Sequence, residues 1–258
     1  MLLMSFLLAA GCASKEEDDT YVERPVGDLY NEAQDKLEAG SYESAAKQFE
    51  EVDRQHPYSE WAARAEVNAA YAYYEAGKYD DAVSTLDRFI QLHPGNERVA
   101  YAYYLKALCS YQQIRDVQRD QSYTEQALTG LEEVRTRFPD SPYARDAKLK
   151  IDLVRDHLAG KDMEIGRYYQ QRELYTAAVN RFRSVIENYQ TTAQVPEALH
   201  RLVECYLALG ITDEAQAAGA VLGYNYPGSS WYENSYRLLN ARGLAPQKKD
   251  GGWLDSIF

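Results

Sequence analysis

Side chains able to do covalent or metal chemistry are few in this sequence and badly spaced for it. The four histidines, His56, His93, His157 and His200, form no His-x-x-x-His pair, and no carboxylate cluster stands beside any of them. Neither a zinc site nor a histidine-centred acid–base pair is expected from such spacing. His56 and His93 each precede a proline, Pro57 and Pro94, a recurrence that reads as structural. No Gly-rich phosphate loop, nucleophile elbow or paired-cysteine motif occurs, so no enzyme activity, metal or cofactor is expected. Tyrosine is the informative residue type, with 23 in the chain. Two clusters nearly repeat one another: Ala70-Tyr71-Ala72-Tyr73-Tyr74 and Ala100-Tyr101-Ala102-Tyr103-Tyr104. Five positions exceed one helical turn, so Tyr73 and Tyr103 must point away from Tyr71, Tyr74, Tyr101 and Tyr104. Those four either pack between elements or form an amphipathic pocket that stacks aromatic side chains and offers hydroxyls to a peptide backbone.

The elements that would position these rings show themselves by repetition. Ala45, Ala82, Ala127, Ala178 and Ala215 are each followed four residues on by Phe49, Leu86, Leu131, Phe182 and Gly219, and seven on by Val52, Phe89, Val134, Val185 and Leu222. This is one helix face written five times. Twelve residues after the alanines come Pro57, Pro94, Pro139, Gln190 and Pro227, where proline stops a helix. Five residues before them come Gly40, Gly77, Ser122, Glu173 and Gly210, the expected tight turn between two helices. The alanine spacings of 37, 45, 51 and 37 are irregular. The segments Ala39-Gly40-Ser41-Tyr42-Glu43-Ser44-Ala45 and Ala76-Gly77-Lys78-Tyr79-Asp80-Asp81-Ala82 resemble the tetratricopeptide consensus. The expected fold is therefore all-α, a superhelical solenoid of five such hairpins. First helices of tetratricopeptide arrays line the concave side, which is where the tyrosine clusters would lie. A polar insertion runs from Arg115 to Gln121. A helical stretch from Tyr143 to Leu158 reads as continuous with Met163 to Arg172, a long helix linking the N-terminal repeats (26–141) to the C-terminal ones (142–243). Residues 244–258 read as a flexible tail whose Trp253 and Phe258 would serve as a docking motif.

Formal charge is -12, which disfavours nucleic acid and anionic lipid surfaces as partners of the folded body. The uncharged run Leu2 to Ala10 is too short to span a bilayer and fits the apolar part of a secretory signal. Leu8-Ala9-Ala10-Gly11-Cys12 resembles the lipobox of bacterial lipoproteins. That resemblance implies removal of residues 1–11, acylation of Cys12 with palmitate among its chains, and a polar tether over 12–25. Ala13 and Ser14 lack the aspartate that retains lipoproteins in the inner membrane, which by the same resemblance points to the outer one. An ordinary signal peptide is the plainer alternative. Cys109 and Cys205 remain; stacked helices about 8 to 10 Å apart would hold them far beyond the roughly 7 Å limit for a bridge, so two buried thiols are expected.

Taken with the lipobox, Leu29 to Leu37, Tyr71-Ala72-Tyr73-Tyr74, Asp87-Arg88-Phe89-Ile90-Gln91-Leu92, Tyr168-Tyr169 and Ala178-Val179-Asn180-Arg181 resemble the BamD family of lipoproteins. The family belongs to the BAM complex, which inserts β-barrel proteins into bacterial outer membranes. The resemblance implies a non-catalytic scaffold facing the periplasm. Its N-terminal repeats would recognise the extended, aromatic-ended signal of unfolded barrel proteins. Its C-terminal repeats would bind BamA, with Asn180 and Arg181 at that interface, among the other BAM subunits. The rival reading is another periplasmic tetratricopeptide adaptor coordinating cell-envelope or cell-wall assembly.

Overall fold

Tight turns punctuate the chain, and each follows from local backbone chemistry. In the computed structural model, which describes residues 23–249 and 252–257, Gly40, Gly77 and Gly210 take φ of 73°, 71° and 76°. Each closes a helix end the same way. Gly40 N–H bonds Leu37 O at 3.0 Å and Ser41 N–H bonds Lys36 O at 2.9 Å, returning two terminal carbonyls to the backbone. Glu173 does this without being glycine: its N–H reaches Gln170 O at 2.9 Å, Leu174 N–H reaches Tyr169 O at 3.0 Å, and its φ is 60°. Left-handed backbone costs a side-chain-bearing residue on the order of 1 kcal/mol. Glu173→Gly is accordingly expected to stabilise the protein by about 1 kcal/mol, raising Tm by roughly 2–4 °C. A thermal melt at or below wild type would contradict the strain.

These four turns close four of five hairpins, and a longer loop closes the third. They pair α1 (Val26–Glu38) with α2 (Tyr42–Gln55), α3 (Glu60–Glu75) with α4 (Tyr79–Leu92), α5 (Val99–Tyr111) with α6 (Ser122–Arg137), α7 (Pro142–Gln171) with α8 (Tyr175–Asn188), and α9 (Val195–Leu209) with α10 (Thr212–Asn225). No strand occurs among the described residues. All five alanines, and every apolar side chain four and seven residues after them, are buried. Each hairpin thus lays the same stripe against its neighbour, which is why the units stack rather than stand alone. Consecutive first helices touch directly, α1 with α3, α3 with α5 and α5 with α7. That places them on the inner side of the curve.

The third turn departs from expectation. Ser122 is not a turn residue but the first residue of α6. The insertion replaces the glycine turn with a loop whose carbonyls are gathered by one side chain: Gln121 Nε2 donates to Asp116 O, Val117 O and Arg119 O at 3.2, 3.4 and 2.9 Å. The loop leans on α7, where Val117 faces Gly160. Helix α7 is 30 residues long, opened by Pro142 and by Ser141 Oγ accepting from Ala144 N–H. Its first half packs on α6 and its second half on α8, linking the two halves of the array.

Two features lie beyond five hairpins. Helix α11 (Ser230–Asn240) covers the open face of the last hairpin with Ser235 and Leu239 fully buried. Gly219 makes room for it, since a Cβ there would come 2.7 Å from Leu239 Cδ1. The tail corrects the sequence reading, because its described residues are bound and not free. Gln216 and Gln247 link it to α10, Lys249 pairs with Glu214, and Leu254 in a short 3₁₀ turn (Trp253–Ser256) is buried in the C-terminal core. Arg183 lies 4.2 Å over the Trp253 ring. Trp253, read from the sequence as part of an exposed docking motif, packs instead against this chain's own core. Phe258, Cys12 and the signal and tether up to residue 22 lie outside the described residues. Cys109 and Cys205 are free and buried in different clusters, and burial pushes both thiols up to about 12.

Candidate functional site: a tyrosine groove on the inner face

Helices α3 and α5 carry the two tyrosine clusters and split each as helical geometry requires. Tyr73 turns into the first-hairpin core at 8% exposure. Tyr103 lies against Phe138, centroids 5.4 Å apart, under the Arg137 guanidinium at 5.2 Å. Tyr71, Tyr74 and Tyr101 share another cluster, half-buried over Ala70, Ala102 and Leu105. Small alanines beside each tyrosine let α3 and α5 approach and leave the rings on the inner surface.

Helix α7 completes the set. Tyr143 stacks on Tyr104, with centroids 5.3 Å apart and planes at 25°, and lies 5.4 Å from Tyr101. The hydroxyls are held in different roles. Tyr74 accepts from Gln112 Nε2 at 2.8 Å, leaving its own proton to donate. Tyr104 donates to Asp146, leaving its lone pairs to accept. Tyr71 lies one turn before Glu75 on α3, and the Glu75 carboxylate adds to the rise of its hydroxyl. A row containing both free donors and free acceptors suits an extended backbone, which presents both in alternation. Burial raises all four hydroxyls above their ordinary value, with neighbouring tyrosines and the Glu75 and Asp146 carboxylates adding to it, so they stay protonated. Asp146 is paired with Lys150 at 2.9 Å, and Lys150 lies 5.5 Å over the Tyr111 ring.

The structure thus brings the four sequence-chosen tyrosines onto one surface and adds Tyr143, Glu75, Asp146 and Lys150, which sequence reasoning missed. Tyr143 follows the Ser141-Pro142 helix start, but no spacing tells that it lands on Tyr104. Asn180 and Arg181 lie elsewhere, exposed on α8. Arg181 Nη1 meets Asp162 Oδ1 at 3.1 Å, and Asp162 also accepts from Ser184 Oγ at 2.8 Å. A cleft of about 530 Å³ opens beside Arg181, between the insertion loop (Arg119, Gln121), α7 (Lys161, Ile165) and Tyr189 at the C-terminal cap of α8.

The inner face of the C-terminal half is ionic instead of tyrosine-rich. Arg167 bridges Glu164 and Glu197 at 3.2 and 3.1 Å, and Arg201 pairs with Glu197 and Glu204 while lying 5.6 Å from the Trp231 ring. Burial by itself would raise Glu204, but hydrogen bonds from His200 and Gln170 and the adjacent charges hold it down to about 2. Its stabilisation is therefore present above the ordinary carboxylate range and is lost only as pH falls towards 2. Among the described residues no group of His, Cys, Asp and Glu is placed to hold a metal, and no helix is long and apolar enough to cross a membrane.

Residues 22–222 match the YfiO family, described as an outer membrane lipoprotein. A relative from Caulobacter vibrioides, named outer membrane protein assembly factor BamD, is 53% identical over 239 residues, covering 92% of this chain and 78% of that one. A Rickettsia prowazekii protein of the same name is 49% identical over 238 residues, covering 92% of this chain and 94% of its own length. Among solved structures, the TPR2AB domain of yeast Sti1 in its pHSP90 complex aligns over 84% of each chain at 13% identity and a TM-score of 0.45, too loose a likeness to bear on function.

Proposed function

Since this chain belongs to the YfiO outer membrane lipoprotein family, with relatives named BamD at about half identity, we propose that it is a non-catalytic factor in the assembly of outer-membrane proteins and that its tyrosine groove captures the unfolded substrates. Three first helices about 8 to 10 Å apart give the groove a length of roughly 20 Å, enough for about six extended residues. Its rings stack aromatic side chains while its hydroxyls serve the backbone between them. The observation that carries this reading is the convergence of Tyr71, Tyr74, Tyr101, Tyr104 and Tyr143 from three separate helices onto one half-buried inner surface.

The C-terminal half then couples the captured chain to the insertion machinery, with Arg181 and the exposed Asn180 meeting a carboxylate-bearing surface of BamA. Acyl chains on Cys12 hold the array at the outer membrane, facing the periplasm. A single chain anchors weakly and several hold firmly, so the multiple chains of a lipoprotein suit a permanent station there. Alanine at Tyr71, Tyr74, Tyr101 and Tyr104 together is expected to weaken binding of an aromatic-ended, barrel-derived peptide at least tenfold by fluorescence anisotropy, in protein whose helical circular dichroism is retained. Undiminished binding by that folded variant would remove the groove from the mechanism.

A further inference from the structure

The charge around the groove is uneven. Asp146 is compensated, with Lys150 2.9 Å away and the Tyr104 hydroxyl donating to it. Glu75 is not, for among the described residues no lysine or arginine forms an ion pair with it. It lies one turn beyond Tyr71 on the same face of α3 and directly after Tyr74, and its negative charge pushes up the hydroxyls of Tyr71, Tyr74 and Tyr101. It is also the last residue of α3. There the carbonyl end of the helix adds partial negative charge of its own, and nature usually places a cation at such an end. The last turn of α3 contains no basic residue.

The rings offer a second attraction of the same sign. Tyrosine faces bind cations, and this chain already uses them so. Lys150 lies 5.5 Å over Tyr111, Arg137 5.2 Å over Tyr103 and Arg172 4.5 Å over Tyr168. At Tyr71 and Tyr74 the uncompensated carboxylate and the ring faces stand together with no cation of the chain's own.

We propose that the groove discriminates among aromatic-ended segments by charge, preferring those that carry a lysine or arginine near the aromatic residue, and that Glu75 is the specificity-determining residue. This rests on the groove being the substrate site. An incoming cation gains the Glu75 carboxylate, the end of α3 and a tyrosine face at once, while an incoming carboxylate meets repulsion from the first two. Because the site is open to solvent, the preference is modest and falls as salt rises.

The test uses three labelled decapeptides ending in phenylalanine and differing at one neighbouring position, which is lysine, glutamine or glutamate. Wild-type protein is expected to bind the lysine peptide about fivefold more tightly than the glutamate peptide at low salt. Glu75→Gln should bring the lysine and glutamate peptides to equal affinity, each compared with the glutamine peptide on the same variant. Equal affinities in the wild type, or a preference that survives in Glu75→Gln, would overturn the inference and leave the groove standing. No binding of the glutamine peptide to wild type would overturn both.

Discussion

Truncating Phe182 to alanine is expected to destabilise the C-terminal half by about 3 to 5 kcal/mol. The ring is fully buried on α8, pressed against Gly166 of α7 so closely that a Cβ at that glycine would collide with it. It occupies the position four residues after the repeat alanine that Phe49, Leu86 and Leu131 fill elsewhere, and it joins α7 and α8 in one core with Met163, Val185 and Leu202. Because α7 is locked to its neighbours on both sides, that core has little freedom to collapse into the vacated space. Phe182→Leu keeps the volume near that of repeats two and three and is expected to cost only about 1 kcal/mol. Each hairpin touches mainly its neighbours, so the damage stays local. Hydrogen exchange should show amides of α8 to α10 losing protection while those of α1 to α4 keep theirs. A uniform loss along the chain would show that the array unfolds as a single unit, against the nearest-neighbour picture.

Much of this was legible beforehand because a repeated face is a redundant signal. The alanines and the apolar residues after them are five copies of one pattern, and all of them are buried. Turns were legible only where their chemistry was local. Gly40, Gly77 and Gly210 announced left-handed backbone, and Glu173 occupies the same geometry by register alone. Ser122 misled, since the residues before it build a loop held by Gln121 and the register could no longer say where the turn falls. The tail misled for another reason: Gly-containing polar sequence reads as free, and whether Trp253 and Leu254 find a core depends on a groove assembled from α8 and α10. At the groove itself, periodicity sets Tyr73 and Tyr103 apart from the other four, and Tyr73 turns into the first-hairpin core while Tyr103 lies against Phe138. Tyr143, Glu75 and Asp146 belong to it through contacts between helices, which no single-helix spacing encodes.

If the C-terminal half docks onto BamA through α8 as proposed, reversing the charge at Arg181 is expected to weaken that association by roughly a hundredfold, about 2.7 kcal/mol, within the range for truncating or opposing one member of a charged pair at an interface. The guanidinium is poised for such a contact. One of its donors is spent on Asp162, which Ser184 also steadies, and the side chain remains 46% exposed. The remaining donors of a planar fork suit a carboxylate engaged by two parallel bonds. Holding the fork in place beforehand removes part of the ordering cost of binding. Arg181→Lys keeps the charge and loses the fork, so it should fall between wild type and Arg181→Glu, several-fold weaker than the former. The intramolecular pair with Asp162 is half exposed on the arginine side and contributes no more than about 1 kcal/mol to folding, so neither variant should lose its helical signal. Co-purification from membranes, followed by titration of the purified periplasmic domains of BamA, separates the outcomes. Wild-type affinity in a folded Arg181→Glu protein would move the interface off α8, whereas equal loss in the lysine and glutamate variants would show that fork geometry matters more than charge.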